Sequence, residues 1–421
     1  MTKKLNYIDL FAGAGGLSEG FIKAGFNPIA HVEMDEAACY TLQTRVAYHH
    51  LKSSNQFDNY VSYLKGEINR NELYALVPSY LLQSVINLPI GAESNKIIHE
   101  TIRRNLETRE VDLIIGGPPC QAYSLIGRAR SENSMATDPR NYLYIQYAKY
   151  LEKYQPKMFV FENVLGLKSA KGGLFLANME KLFYKKGYKI QVFTVEANNF
   201  DVLQNRKRII IIGWKDDFTP NLPNLSAIRS ENNYLVKNLL SDLPKLNAGE
   251  GVDKFSKYQS DTTEYLRATG IRNGINVLTQ HVARPHTDQD IEIYKIAIEK
   301  WNEGKSRLDY NDLPSKLKTH KNRISFFDRF KIIAGDLPFS QTIAAHISKD
   351  GHYYIHPYIN KPRSITVREA ARLQSFPDDF YFEGAREGKN RTAAFKQIGN
   401  AVPPLMANCI ANTLKQILNG I

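Results

Sequence analysis

The chain has 421 residues, 43% hydrophobic and 23% charged, with a formal charge of +12. At roughly 150 residues per domain this length leads to an expectation of two to three units, and the composition is that of a soluble globular protein rather than a disordered or fibrous one. Three cysteines without a CxxC spacing exclude a disulfide framework and a cysteine-built zinc site. The opening MTKKLNYIDLF lacks the apolar stretch of a signal peptide, and no apolar run, such as Ile209 to Ile212, is more than strand-sized. A cytoplasmic protein with no membrane partner is therefore expected. The positive charge fits an anionic partner and bears on association, not on fold.

In chain order, Tyr7 to Phe11 reads as a short buried strand that runs into the cluster Gly13-Ala14-Gly15-Gly16. Leu17 to Ala24 has helical spacing closed by Gly25, and Pro28 to Val32 forms a second strand ending at Glu33 and Asp35. Residues 46–107 turn helical and polar and read as an insertion. Val111 to Ile115 is a strand leading into Gly116-Gly117-Pro118-Pro119-Cys120. Tyr142 to Lys153 is helical, and Lys157 to Phe161 is a strand ending at Glu162-Asn163. A helix over Leu174 to Lys186 and a strand pair, Tyr188 to Val195 and Arg206 to Trp214, follow. Strands alternating with helices over about 200 residues predict an open α/β sheet covered on both faces. Beyond Trp214, prolines, glycines, Asn and Ser break the alternation to about residue 280. The rest contains an amphipathic helix over Ile291 to Trp301, a basic stretch with aromatics, KLKTHKNRISFFDRFK, from Lys316 to Lys331, and helices over Thr366 to Gln374 and Leu405 to Leu418.

The residues with chemical potential lie mostly where strands end. A strand, a glycine turn and a helix N-terminus suit a nucleotide-like cofactor, and Glu33, twenty residues past Gly13, is placed to accept from ribose hydroxyls. The match to GxGxxG is imperfect, with Ser18 at the third glycine, so the turn does not separate a dinucleotide from S-adenosylmethionine. Cys120 follows a strand and two stiffening prolines, as an aimed nucleophile would, or it is a structural thiol. Cys39 and Cys409 sit in helical, aliphatic contexts and read as structural. Glu162 ends a strongly apolar strand, where burial raises a carboxyl pKa toward neutrality. Arg206 and Arg208 alternate on a strand, so both forks would point together, and they reach the same sheet edge if that strand runs antiparallel. His352 and His356 flank a β-rich segment without the spacing of a helical metal site, and no metal is expected.

These residues fall into six segments: DLFAGAGG (9–16), GGPPCQAYS (116–124), FENV (161–164), QNRKR (204–208), RSITVREAARLQSFPDDF (363–380) and QIGNAVPP (397–404). In that order they resemble the DNA (cytosine-5) methyltransferases. The resemblance implies a Rossmann-like class I methyltransferase sheet with a second, smaller, irregular target-recognition domain. It further implies transfer of a methyl group from S-adenosylmethionine to C5 of a cytosine flipped out of double-stranded DNA, by a bacterial restriction–modification enzyme. Cys120 would form the covalent bond to C6, with Glu162, Arg206 and Arg208 as the other catalytic residues. The cofactor set would be Phe11, Ala12, Gly13, Gly15, Gly16, Glu33, Met34, Glu100, Pro119, Leu143, Asn400 and Val402. Two of these depart from the family pattern: Met34 replaces a more usual aromatic, and Glu100 stands where an aspartate about twenty residues before the cysteine is usual. Gln121, Ser124, Lys318, Lys321 and Arg323 are the expected DNA contacts.

The implied organisation is a catalytic domain over 1–215, target recognition over 216–362, a hinge over 363–395, and a C-terminal helix over 396–421 that returns to the first domain. A monomer is expected, with a restriction endonuclease acting on the same sequence without contact. The competing readings are an RNA (tRNA) cytosine-C5 methyltransferase, a non-catalytic DNA-binding relative, and an NAD-dependent oxidoreductase that would leave Cys120, Glu162 and Arg208 without a role.

Overall fold

The computed structural model describes residues 4–119, 142–231, 233–324 and 326–420. It divides into two compact units: Met1–Val46, Val77–Glu231 and Ala401–Ile421 form the first, and Ala47–Leu76 with Asn232–Asn400 the second.

The first unit is built on a seven-stranded sheet. Its strands are β1 (Asn6–Leu10), β2 (Asn27–Glu33), β3 (Val85–Asn87), β4 (Leu113–Gly116), β5 (Met158–Asn163), β6 (Tyr188–Glu196) and β7 (Lys207–Lys215). They lie in the order β3-β2-β1-β4-β5-β7-β6; the first five are parallel, and β7 is antiparallel to both of its neighbours.

The strands are apolar throughout because both faces are covered. Ile8, Leu10, Ile114, Phe159, Phe161, Ile209 and Ile211 share one face with the helices Asn95–Leu106, Leu143–Tyr154 and Leu174–Lys185, through Ile98, Tyr147 and Phe183 among others. Tyr7, Leu113, Ile115, Val160, Ile210 and Ile212 face the other way, against Phe21 of the helix Gly16–Lys23 and Met406, Ile410 and Leu414 of the helix Pro404–Leu418. That last helix seats where Gly20 leaves room. A Cβ on Gly20 would lie 2.4 Å from both Ala407 Cβ and Asn408 N, and Asn408 Nδ2 donates to Gly20 O at 3.1 Å. The unit is thus discontinuous in sequence, interrupted after Glu231 and resumed at Ala401.

The boundaries differ from the sequence expectation in ways that side-chain contacts explain. The first unit extends past 215 because Leu225 is buried against the sheet and Ser226 Oγ accepts from Thr194 N at 3.1 Å. Residues 46–107 are not one insertion: β3 and the helix after it complete the sheet beside β2, whereas Ala47–Leu76 joins the second unit. There Tyr60 OH donates to Asp379 O (2.7 Å), Tyr63 OH to the Glu383 carboxylate, and Arg70 Nη1 to Gly384 O (2.9 Å). Lys254 Nζ lies 3.5 Å from the centroid of the Tyr63 ring.

Residues 363–395 fall within the second unit. Arg363, Arg368 and Arg372 are at most 1% exposed and tie the second unit together. Arg363 makes a bidentate pair with Glu369 (both 2.7 Å), and Glu369 closes a capping box with Thr366 at the start of the helix Val367–Leu373. Arg368 donates to Thr279 O and Phe380 O, and Arg372 bridges Asp242 and Asp378. A helix absent from the sequence reading, Arg391–Asn400, packs at Gly399, where a Cβ would meet Ala345 N at 2.3 Å. A separate apolar cluster of this unit joins Tyr294 and Ile298 of the helix Asp288–Gly304 to Tyr310, Leu317, Phe330 and Ile355.

Gly20→Val is expected to lower the stability of the protein by about 1–3 kcal/mol through overpacking against Ala407, read as a lower urea midpoint. Gly91→Ala, whose Cβ would meet open space, should change it by less than about 0.5 kcal/mol. Equal midpoints for the two variants would contradict the close approach of the C-terminal helix.

Candidate active site

β1 ends in a tight reversal. Phe11, Gly13 and Gly15 all have positive φ, 58°, 55° and 81°. The glycines adopt this freely, whereas an aromatic residue is strained by about 1–2 kcal/mol. The turn is tied down by Ala12 N to Val32 O (3.1 Å) and Gly15 N to Ala12 O (3.0 Å), and Gly15 then caps the helix Gly16–Lys23. Its organiser is Glu33 at the end of β2. Oε2 accepts from Gly13 N (2.8 Å), and Oε1 accepts from Met34 N (2.9 Å) and Asp35 N (2.8 Å). Burial pushes this carboxyl above its usual range, against the pull of those N–H groups.

A carboxylate offers about four acceptor sites, so Oε2 keeps capacity for a further donor such as a ribose hydroxyl. Met34, beside it, is 66% exposed, and the space around the Gly13 α-carbon is open. This edge therefore fits the sugar and base of an adenosine-containing group. Sequence reasoning missed Asn87. As the last residue of β3 it donates from Nδ2 to Glu33 O (3.3 Å) and Met34 O (3.1 Å). Glu100 is exposed on the helix Asn95–Leu106, whose Ile98 and Ile102 turn into the core. Cys39 Sγ donates to Glu33 O (3.4 Å), and burial pushes its thiol up to about 12, the behaviour of a structural cysteine.

The second half of the site gathers where β4 and β5 end. A Cβ on Gly116 would stand 2.2 Å from Leu10 O, and one on Gly117 would stand 2.7 Å from Glu162 Oε2. Gly116 is thus required by close approach to the Leu10 backbone, Gly117 leaves room for the Glu162 carboxylate, and the pair carries the chain past Glu162 toward Cys120. Asn163 Nδ2 donates to Pro118 O at 3.5 Å. Pro118 is buried and Pro119 exposed, while Cys120, Gln121 and Ser124 lie outside the described residues.

Because β7 runs antiparallel to β5, its first residues reach this same edge, with Ile210 opposite Glu162. Arg208 Nε meets Glu162 Oε1 at 2.8 Å, both side chains being largely buried. Arg206 precedes β7 rather than sharing its alternation, and the two guanidiniums have different partners. Arg206 is 1% exposed and donates from Nη2 to Ala401 O (2.9 Å), bracing the segment that leads into the C-terminal helix. Burial pushes the Glu162 carboxyl above its usual range, with Arg208 and then Arg206 pulling it back.

Leu143 is half-buried at the start of its helix and Val402 is buried in the first unit. Asn400 is exposed at the end of the helix Arg391–Asn400 in the second unit, which also carries Lys318, Lys321 and Arg323. His352 Nδ1 lies 2.8 Å from Tyr294 OH, and burial lowers His356, 3.5 Å from Glu369, to about 3. Among the described residues no group of three or more His, Cys, Asp or Glu could hold a metal ion, and no helix is long and apolar enough to cross a membrane.

A profile of the C-5 cytosine-specific DNA methylase family matches residues 5–69 and 87–416. The chain is 41% identical to Type II methyltransferase M.Bpa9945I of Bacillus paralicheniformis, over 98% of its own length and 99% of the relative's. It is 32% identical to Type II methyltransferase M1.HphI of Haemophilus parahaemolyticus, over 97% and 86%. A crystal structure from E. coli, assigned as a DNA modification methyltransferase encoded within a prophage, superposes with a TM-score of 0.66 at 25% identity, covering 99% of this chain and 100% of that one. The sheet order, the carboxylates ending β2 and β5, and these matches agree: the chain belongs to the C-5 cytosine-specific DNA methylases, enzymes that use S-adenosylmethionine to methylate cytosine C5 in DNA.

Proposed function

We propose that this enzyme acts by covalent catalysis on a cytosine turned out of a short, specific duplex sequence. The carrying observation is the Glu162–Arg208 pair at the shared end of β5 and β7, with Gly117 held against Glu162 on the way to Cys120. Cytosine C5 is too weak a nucleophile to take a methyl group unaided. The Cys120 thiolate adds to C6, forming an S–C bond and pushing the C5–C6 π pair into the ring. Glu162 delivers a proton to N3 as that charge builds, and Arg208 donates to O2. S-adenosylmethionine, when bound, supplies an electrophilic methyl group on a cationic sulfur. C5 would take that methyl group, its S–C bond breaking so that the sulfur leaves as a neutral thioether. The C5 proton then leaves to a base, N3 returns its proton, and Cys120 is expelled as thiolate. None of these atoms is reachable in a stacked, paired cytosine, so the base must be extruded.

On the cofactor side, the strained turn at Phe11, the backbone from Ala12 to Gly16, and Glu33 and Met34 support the binding assignment, and Asn87 replaces Glu100 in it. Pro119, Leu143, Asn400 and Val402 remain assigned by the resemblance of their motifs, as do Gln121 and Ser124 for DNA. The second unit is assigned target recognition. The relatives are named Type II methyltransferases, which supports the role of modification partner to a restriction endonuclease that acts separately on the same sequence. We place the enzyme as a monomer in a bacterial cytoplasm.

Bisulfite sequencing of DNA from expressing cells should show one short motif protected at a single cytosine; modified tRNA with unmodified DNA would instead support the RNA reading. Cys120→Ala should abolish methyl transfer and the cofactor-dependent adduct with 5-fluorocytosine DNA while cofactor and DNA binding persist. Turnover in that variant would end the covalent mechanism. Burial raises the Glu162 pKa, so the proton-donating form persists to higher pH than in a solvated carboxyl and is lost as pH rises through the raised value. The rate of methyl transfer should therefore fall along that alkaline limb. Glu162→Gln should remove the limb and lower kcat by about 10²–10⁴-fold; an unchanged pH profile would assign the proton to another group.

A further inference from the structure

The basic stretch Lys316 to Lys331 is less uniform in three dimensions than in sequence. Lys316 pairs with Glu292 (2.8 Å), Lys331 with Asp328 (2.5 Å) and Arg329 with Asp350, while Lys318 Nζ donates to Asn311 O (3.0 Å). Lys321 and Arg323 are exposed, and among the described residues neither is engaged in an ion pair or hydrogen bond. Both sit on a loop whose base is packed. The His320 ring stacks on Phe326 with centroids 3.9 Å apart and planes 4° from parallel, and His320 N donates to Tyr310 OH at 2.9 Å. Phe326 in turn meets Tyr310 edge-on at 4.9 Å and packs against the apolar cluster that holds Tyr310 and Phe330. On this loop Ile324 is 90% exposed, the highest value among the exposed large hydrophobics of the described residues.

One exposed isoleucine is unremarkable by itself. Here it adjoins Arg323 on a stapled tip of a DNA-modifying enzyme, and the stretch's other cations are already engaged within the unit. We propose that Ile324 reads a base: it contacts the C5-methyl group of a thymine in the major groove of the recognition sequence, while Lys321 and Arg323 hold the tip to the duplex. This rests on the reading that the basic stretch contacts DNA. The chemistry is selective because, of the four unmodified bases, thymine alone presents an apolar group in the major groove. A branched aliphatic side chain has no donor or acceptor, so methyl contact is what it can discriminate. The stacked base of the loop limits the conformational freedom lost on binding.

Once the modified sequence is known, each thymine in it can be replaced singly by deoxyuridine, which differs only in lacking the methyl group. Methylation kcat/KM is then compared for the wild type and Ile324→Ala. At one position the wild type should lose about 4-fold or more, the value of one buried methyl group. Ile324→Ala should show a similar loss on thymine DNA and no further loss on deoxyuridine at that position. Penalties that multiply at every position, or a motif in which no thymine shows a penalty, would overturn the assignment; a wedge between base steps would lower both substrates equally and also count against it. The side chain is exposed, so the variant is expected to fold. A Lys321→Ala, Arg323→Ala double variant separates the two levels. A reduction of about 2 in the salt slope of DNA binding supports a tip that faces the duplex, so that a missing thymine coupling then defeats only the base-reading role. An unchanged slope defeats the DNA-contact reading itself.

Discussion

The direction of one strand sets the chemistry of this enzyme. In an open parallel sheet, reactive groups collect where strands end, and a parallel strand brings only its last residues there. β7 runs the other way, so its first residues arrive at that edge and Arg208 meets Glu162 across the β5–β7 ladder. A parallel β7 would carry Arg208 to the opposite edge and leave Glu162 buried without its guanidinium. Breaking such a pair by removing one partner typically costs about 3–5 kcal/mol, because the other charge stays buried. The same burial holds Glu162 above the ordinary carboxylate range, which suits proton delivery better than a fully solvated acid would.

Two carboxylates organise the sheet edge in parallel ways. Glu33 gathers three backbone N–H groups and so shapes the turn after β1, while Glu162 occupies the space that Gly117 leaves by lacking a side chain. Backbone forms a wall in each case, alone at Glu33 and together with the Arg208 guanidinium at Glu162. That accounts for the glycines at 13, 15, 116 and 117 individually: two supply positive φ and two supply clearance.

The second unit shows how far a sequence motif can be from a site. RSITVREAARLQSFPDDF looks like a charged, functional signature, yet its three arginines are buried and bind carboxylates and carbonyls within the unit. The charge balance must be read in the same way. Of the cations in the stretch from Lys316 to Lys331, most are committed to local partners, and the formal +12 overstates what is available to phosphate.

The sequence by itself determined six of the seven strands of the central sheet, its two covering layers and the positions of Glu33 and Glu162 at strand ends. These are local properties: two-residue alternation, runs of Ile and Val, and the glycine turns that follow them. It did not reveal β3, which is too short to show an alternation, nor therefore Asn87, whose partners Glu33 and Met34 lie more than fifty residues earlier. The membership of Ala47–Leu76 in the second unit rests on Tyr60 reaching Asp379 across 319 positions. The buried role of Arg206 rests on a carbonyl at Ala401. Tertiary structure alone decided these, because each depends on which distant backbone group a side chain meets, and no periodicity in a single segment encodes its partner.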